Sequence, residues 1–219
     1  MNEFLYLDIE TIPSQNPATL AAFQDAVTAP ATYKKQESID AWLLENRESA
    51  ALDALDKTSF DPAHGHICTI SWAIGEGDVM VAHAETVEDE AKVLAAFFAH
   101  VDEYHSQIFV GHFINGFDLR FLLCRAVILG VKIPRGIPRD PKAWDKNIHD
   151  TMTMWAGSKG KISLDNLSKA LGIKGKGGFD GSQVAGAWAR GEHVIIAEYC
   201  MDDVRIVRDI HRKFMAVNF

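Results

Sequence analysis

At 219 residues the chain is long enough for one compact domain with a substantial buried core. Its 47% hydrophobic and 24% charged residues are the proportions of an ordinary globular protein, and no apolar run approaches membrane-spanning length. A net charge of −8 argues against a protein that coats nucleic acid through bulk positive potential. It does not argue against a substrate channel beside carboxylates whose charge a bound metal offsets.

Residues 3–9 read as a buried strand, ended by Thr11-Ile12-Pro13. Stretches 17–28 and 36–56, rich in Ala, Leu, Glu and Asp, are predicted helices, with Ser38 a candidate cap of the second. Residues 31–60 are expected to form a helical insertion in a single domain covering 1–219. Strand character returns at 67–74, followed by a Gly75-Glu76-Gly77-Asp78 turn and a hairpin partner at 79–83. From Thr86 the spacing of Val93, Leu94, Phe97, Phe98 and Val101 predicts a helix with one apolar face. A short buried strand is expected at 108–111, a helix from Phe117 to Leu129 and a proline-rich loop over 131–147. A last short strand falls at 148–150, with helices at 163–171 and 192–214 joined by a segment rich in Gly and Lys. A meander first and strand–helix–strand units later imply an α/β fold with a mixed sheet of about five strands covered by helices.

Cys68, Cys124 and Cys200 are odd in number and sit in apolar segments, the pattern of buried free thiols in a reducing compartment. With no recognisable secretory signal, the expected setting is cytoplasmic.

Four acidic residues stand out by their surroundings. Asp8 and Glu10, two apart on a strand, leave the same face, where paired like charges are costly unless hydrated or compensated by a cation. Asp118 follows His112-Phe113-Ile114-Asn115-Gly116-Phe117 at a strand end entering a helix; there Asn115 is a candidate cap and Asp118 complements the helix dipole. Tyr199 and Asp203 lie one turn apart on a helix whose apolar stripe is Val204, Val207 and Ile210, whereas Asp202 faces elsewhere. Oxygen ligands from distant segments are what Mg²⁺ or Mn²⁺ requires, and such a site suits phosphodiester hydrolysis. A tyrosine beside a metal-bound carboxylate can orient a water nucleophile.

Asp8-Ile9-Glu10, Asn115-Gly116-Phe117-Asp118 and Tyr199-x-x-x-Asp203 together resemble, in order, the three motifs of the DEDD 3′–5′ exonucleases, in the subclass with tyrosine in the last. The nearest likeness is to stand-alone proteins similar to the proofreading domain of family-B DNA polymerases, over residues 4 to about 213. The resemblance implies a ribonuclease-H-like fold and two divalent ions. In that arrangement Asp8 bridges both ions, and Glu10 and Asp203 complete the site of the attacking water. Asp118 serves the second ion on the leaving-group side, and Tyr199 positions the nucleophile. Ile12-Pro13 departs from the Thr-Gly pair of many relatives, so the contacts that Thr11 and its neighbours make to a 3′-terminal nucleotide are expected to differ.

Lys159, Lys161, Lys169, Lys174 and Lys176, interleaved with glycines, form a local basic patch that either tracks a phosphate backbone or is simply solvated. Lys174 and Lys176, with Thr11, Asn115 and Phe117, are the expected substrate contacts. Phe117 is placed either against a terminal base or in the core, and Asp150 is given a supporting place at a strand end. The expected partner is nucleic acid, foremost single-stranded DNA 3′ ends. RNA trimming and a non-catalytic nucleic-acid-binding module remain as alternatives.

Overall fold

The computed structural model describes residues 3–103, 107–142, 145–175 and 177–219. The uninterrupted apolar run Phe4 to Leu7 is what a strand covered on both faces needs, and it lies in the centre of the sheet. This strand, β1 (Glu3–Ile12), is followed by α1 (Pro17–Ala26), α2 (Gln36–Asp56), β2 (His66–Ile74) and β3 (Met80–His83). Then come α3 (Glu90–Glu103), β4 (Gln107–Gly111), α4 (Asp118–Leu129) and β5 (Ile148–Asp150). The chain ends with α5 (Thr151–Ala156), α6 (Leu164–Ala170), α7 (Val184–Ala189) and α8 (His193–Ala216).

The five strands run in the order β3-β2-β1-β4-β5. β1 pairs antiparallel with β2 and parallel with β4; β2–β3 is antiparallel and β4–β5 parallel. The expected mixed five-stranded sheet is therefore present. Side-chain alternation divides β1 between two cores. Leu5, Leu7 and Ile9 pack with Leu94, Phe97, Leu119 and Phe121 of α3 and α4, while Tyr6 packs with Leu167, Val204, Val207 and Ile210 of α6 and α8. Asp8 and Glu10, in phase with Tyr6, consequently belong to the face covered by α8.

β1 is longer than expected. It continues to Ile12 because a register shift between Glu10 and Thr11 carries it past the polar residues, and Pro13 follows the strand's last residue. Lys35, not Ser38, precedes the first turn of α2, and no side chain caps it. The helix expected from Thr86 begins with a single 3₁₀ turn at Val87–Asp89 before α3. Two six-residue helices, α5 and α7, occupy stretches for which the sequence suggested no element; they are too short to show a period. No helix among the described residues is long and apolar enough to cross a membrane.

Candidate active site

The geometry begins with a strand overhang. β4 pairs with β1 only as far as Tyr6, opposite Val110, so the second half of β1 runs on without it. The chain leaves β4 through residues 112–117 and enters α4 at Asp118. A crevice at the carboxyl ends of two parallel strands is where α/β sheets place ligands.

Asp8 and Glu10 face α8 across this crevice. Ligand atoms of Asp8, Glu10 and Cys200 all lie within 4.8 Å of one another. The Cys200 thiol donates to Asp8 Oδ2 and to the Asp8 carbonyl, both at 3.4 Å. Burial first, then Asp8 and Glu10, raise Cys200 well above the usual thiol value, in keeping with its thiol donating to Asp8. Sequence reasoning placed Cys200 only as a buried thiol. The missed signal is its helical spacing, three residues before Asp203 and so on the same side of α8.

Asp203 is 5% exposed and Asp118 4% exposed, on helices from opposite sides of the sheet. Neither belongs to the 4.8 Å group, but Asp203 acts on it, being among the charges that raise Cys200, and it also raises the neighbouring Tyr199. Burial pushes the Asp118 carboxyl well above the ordinary carboxylate range. Its own amide and that of Ile9 in the overhang pull it down, and Asp150 and Asp203 push it further up. The charges acting on this buried acid are thus other acids, an arrangement that a cation would relieve.

Tyr199 is half-buried, its ring 5.1 Å from that of Phe179. Burial, followed by Asp203, Glu10, Asp8 and Asp180, drives its phenol far upward, so Tyr199 is a neutral hydroxyl at any physiological pH. Asp202 is exposed and paired with Arg205 at 2.6 Å, in keeping with its expected orientation.

The expected substrate contacts are placed unevenly. The Thr11 hydroxyl donates to the Ser59 carbonyl at 2.7 Å, while the residue lines a cleft of about 670 Å³ with Pro13, Lys57, Phe60, Gly181 and Ser182. Phe117 packs at a tilt, 5.4 Å between ring centres, on the buried Phe121 and reaches Phe60 at 6.3 Å; Phe60 itself is 73% exposed. Asn115 does not cap α4. Phe117 precedes that helix, and no side chain caps it. The Asn115 amide instead donates to Asp150 Oδ2, and its side-chain oxygen is buried without a partner among the described residues. Lys174 is exposed after α6, Lys169 pairs with Asp165, and Lys176 lies outside the described residues. His112 is structural, bonded to Thr151 Oγ1 and the Ile162 carbonyl.

Comparison with known proteins agrees with this architecture. A DNA polymerase of Pyrococcus glycovorans is 25% identical over 232 residues, covering 91% of this chain and 29% of its own length. The solved family-B DNA polymerase of the hyperthermophilic archaeon Pyrobaculum calidifontis superimposes with a TM-score of 0.61 at 18% identity, over 98% of this chain and 25% of that one. The chain thus spans about a quarter to a third of these relatives, and its mixed five-stranded sheet flanked by helices is a ribonuclease-H-like fold. A family pattern matches residues 58–208, a stretch that contains Asp118, Tyr199 and Asp203 but begins after Asp8 and Glu10. The chain belongs to the family described as predicted 3′–5′ exonucleases related to the exonuclease domain of the family-B DNA polymerase PolB.

Proposed function

We propose that the protein is a metal-dependent 3′–5′ exonuclease that removes terminal nucleotides from single-stranded or frayed DNA. The observation that carries this reading is the apposition of β1 and α8, which sets Asp8 and Glu10 against the helix bearing Tyr199 and Asp203. Asp8, Glu10, Asp118 and Asp203 offer hard carboxylate oxygens suited to Mg²⁺ or Mn²⁺, and the mutual repulsion around Asp118 fits a site completed by cations. Two such ions, when bound, polarise the phosphate and stabilise both the entering and the leaving oxygen of an in-line displacement.

The chain's own groups supply the remainder. Tyr199, neutral, holds a water by hydrogen bonding and aims it at the terminal phosphorus. The water's oxygen forms the new P–O bond, and the bond to the 3′ oxygen of the penultimate sugar breaks. The proton given up by the water to solvent is balanced by one that the 3′ oxygen takes from solvent, and a nucleoside 5′-monophosphate departs. Cys200 holds the orientation of Asp8 through its thiol hydrogen bond. The exposed Phe60 ring, backed by Phe117, offers a face for a terminal base to stack on. Lys174 and Lys176 would meet the phosphate backbone. We read the helical excursion within residues 31–60 as an insertion that brings Phe60 to the site.

The deciding measurement is degradation of matched, end-labelled DNA and RNA single strands with Mg²⁺, Mn²⁺ or a chelator. The expected result is stepwise loss of mononucleotides from DNA 3′ ends, abolished by chelation and by Asp8→Ala. Faster attack on RNA would reassign the enzyme to RNA trimming, and binding without cleavage under every metal condition would overturn catalysis altogether.

A further inference from the structure

The buried carboxylate of Asp150 is a heavily engaged group near the crevice that the proposed chemistry leaves without a task. It ends β5, opposite Gly111 of β4, and is 3% exposed. Its Oδ1 accepts from the amides of Phe113 (3.0 Å), Met152 (3.0 Å) and Thr153 (3.3 Å), and its Oδ2 accepts from the amide of Asn115 (3.3 Å). Two of these donors belong to the first turn of α5, which Asp150 caps. The other two belong to the loop between β4 and α4, which delivers Asp118.

That loop needs holding. Phe113 has φ +63°, a left-handed conformation that a bulky side chain adopts only when its surroundings impose it. The Phe113 carbonyl accepts from the amides of Gly116 and Phe117, each at 3.0 Å, and the Ile114 carbonyl accepts from the Leu119 amide at 3.2 Å. The amide pinned by Asp150 therefore belongs to the residue whose carbonyl fixes the last turn before Asp118.

We propose that Asp150 is a positioning residue for the Asp118 side of the cleavage site: its carboxylate clasps the left-handed loop so that Asp118 is presented to the crevice. The proposal rests on the exonuclease reading above. A carboxylate is required because both oxygens must accept. Asparagine has the same shape but only one acceptor, and its NH₂ would confront either the Asn115 amide or the other three.

The test compares Asp150→Asn and Asp150→Ser with wild type and with Leu94→Ala, a core substitution in α3 away from the crevice. Serine can still cap α5 but is too short to reach Phe113 and Asn115, so it separates the two duties of Asp150. Turnover on end-labelled single-stranded DNA is followed as Mg²⁺ is titrated, and amide hydrogen exchange is read at Phe113 and Asn115. Both Asp150 variants should lose about ten- to a hundredfold in kcat, the range seen when a group supporting a metal ligand is removed. They should also need more Mg²⁺ for half-activation, keep KM for DNA within about twofold, and exchange the two amides faster. Leu94→Ala, although less stable, should keep the wild-type Mg²⁺ curve. An unchanged kcat and Mg²⁺ curve in Asp150→Ser would overturn the proposal, as would a matching shift in Leu94→Ala. Should wild type prove inactive with every metal, the exonuclease reading falls; unaltered exchange at Phe113 and Asn115 in Asp150→Ser would then sink the clasp separately.

Discussion

A phenol drawn out of water by burial and facing the charges of four acids, Asp203, Glu10, Asp8 and Asp180, does not ionise near neutral pH. In the proposed reaction Tyr199 therefore works through its hydrogen bond and not as a phenolate base. Tyr199→Phe removes that bond and keeps the ring's packing against Phe179, so kcat should fall by about a hundredfold with KM for DNA little changed. Steady-state kinetics on end-labelled single strands check this, and a loss under threefold would remove Tyr199 from the chemistry. At this scale the sequence was informative wherever one element sets the geometry. Period two put Asp8 and Glu10 on one face, and one helical turn put Tyr199 beside Asp203. Phe60 was not legible as a neighbour of these groups, because its place depends on how the turn after α2 docks, whereas the helical spacing of Cys200 from Asp203 was a signal left unused. The expected cap at Asn115 failed for a related reason: a distant carboxylate, Asp150, holds its amide and the loop around it.

Between α2 and β2 the chain makes a 3₁₀ turn, Lys57–Phe60, that clips the helical excursion to the end of β1. The Ser14 amide donates to Thr58 Oγ1 at 2.8 Å, and Thr11 bonds the Ser59 carbonyl. Gly65, leading into β2, lies so close that an added Cβ would fall 2.3 Å from the Thr58 carbonyl oxygen and 3.1 Å from that of Ile12. Both are backbone atoms and cannot swing aside. Gly65→Ala should therefore cost about 1–3 kcal/mol, the usual toll of overpacking, read by thermal or denaturant unfolding. Because the same turn carries Phe60, the variant should also raise KM for single-stranded DNA. Long elements were readable from their patterns, as in the five apolar residues of α3, all buried as expected. The short strands at 108–111 and 148–150 were also readable, but the short helices were not: α5 depends on its Asp150 cap, and α7 on packing against Ile12 and Cys68.

Across the whole molecule, a buried chain of rings joins the first strand to the last helix. The Tyr6 hydroxyl meets His211 Nδ1 at 3.1 Å, and His211 Nε2 meets His149 Nδ1 of β5 at 2.8 Å. Burial, aided by His149, lowers His211 to about 4, and burial lowers His149 as well. A folded-state value below the unfolded one means that the unfolded chain takes up protons first. Stability should thus be full above about pH 6.5 and fall progressively as pH drops toward 4, with His211 contributing on the order of 3 kcal/mol. Urea unfolding at stepped pH measures this, and His211→Gln should flatten that part of the profile. The sheet class and strand number could be inferred from element order, but this histidine relay could not, since its members stand far apart in the chain.

The overhang of β1 beyond β4 has a kinetic corollary. Asp8 and Cys200 are separated by 192 positions yet touch, so the proposed cleavage centre exists only after two segments far apart in the chain have found each other. Such remote closure is entropically expensive and comes late in folding. A nascent or partly folded chain would consequently hold its acids apart, and hydrolytic competence would switch on together with the final docking of α8.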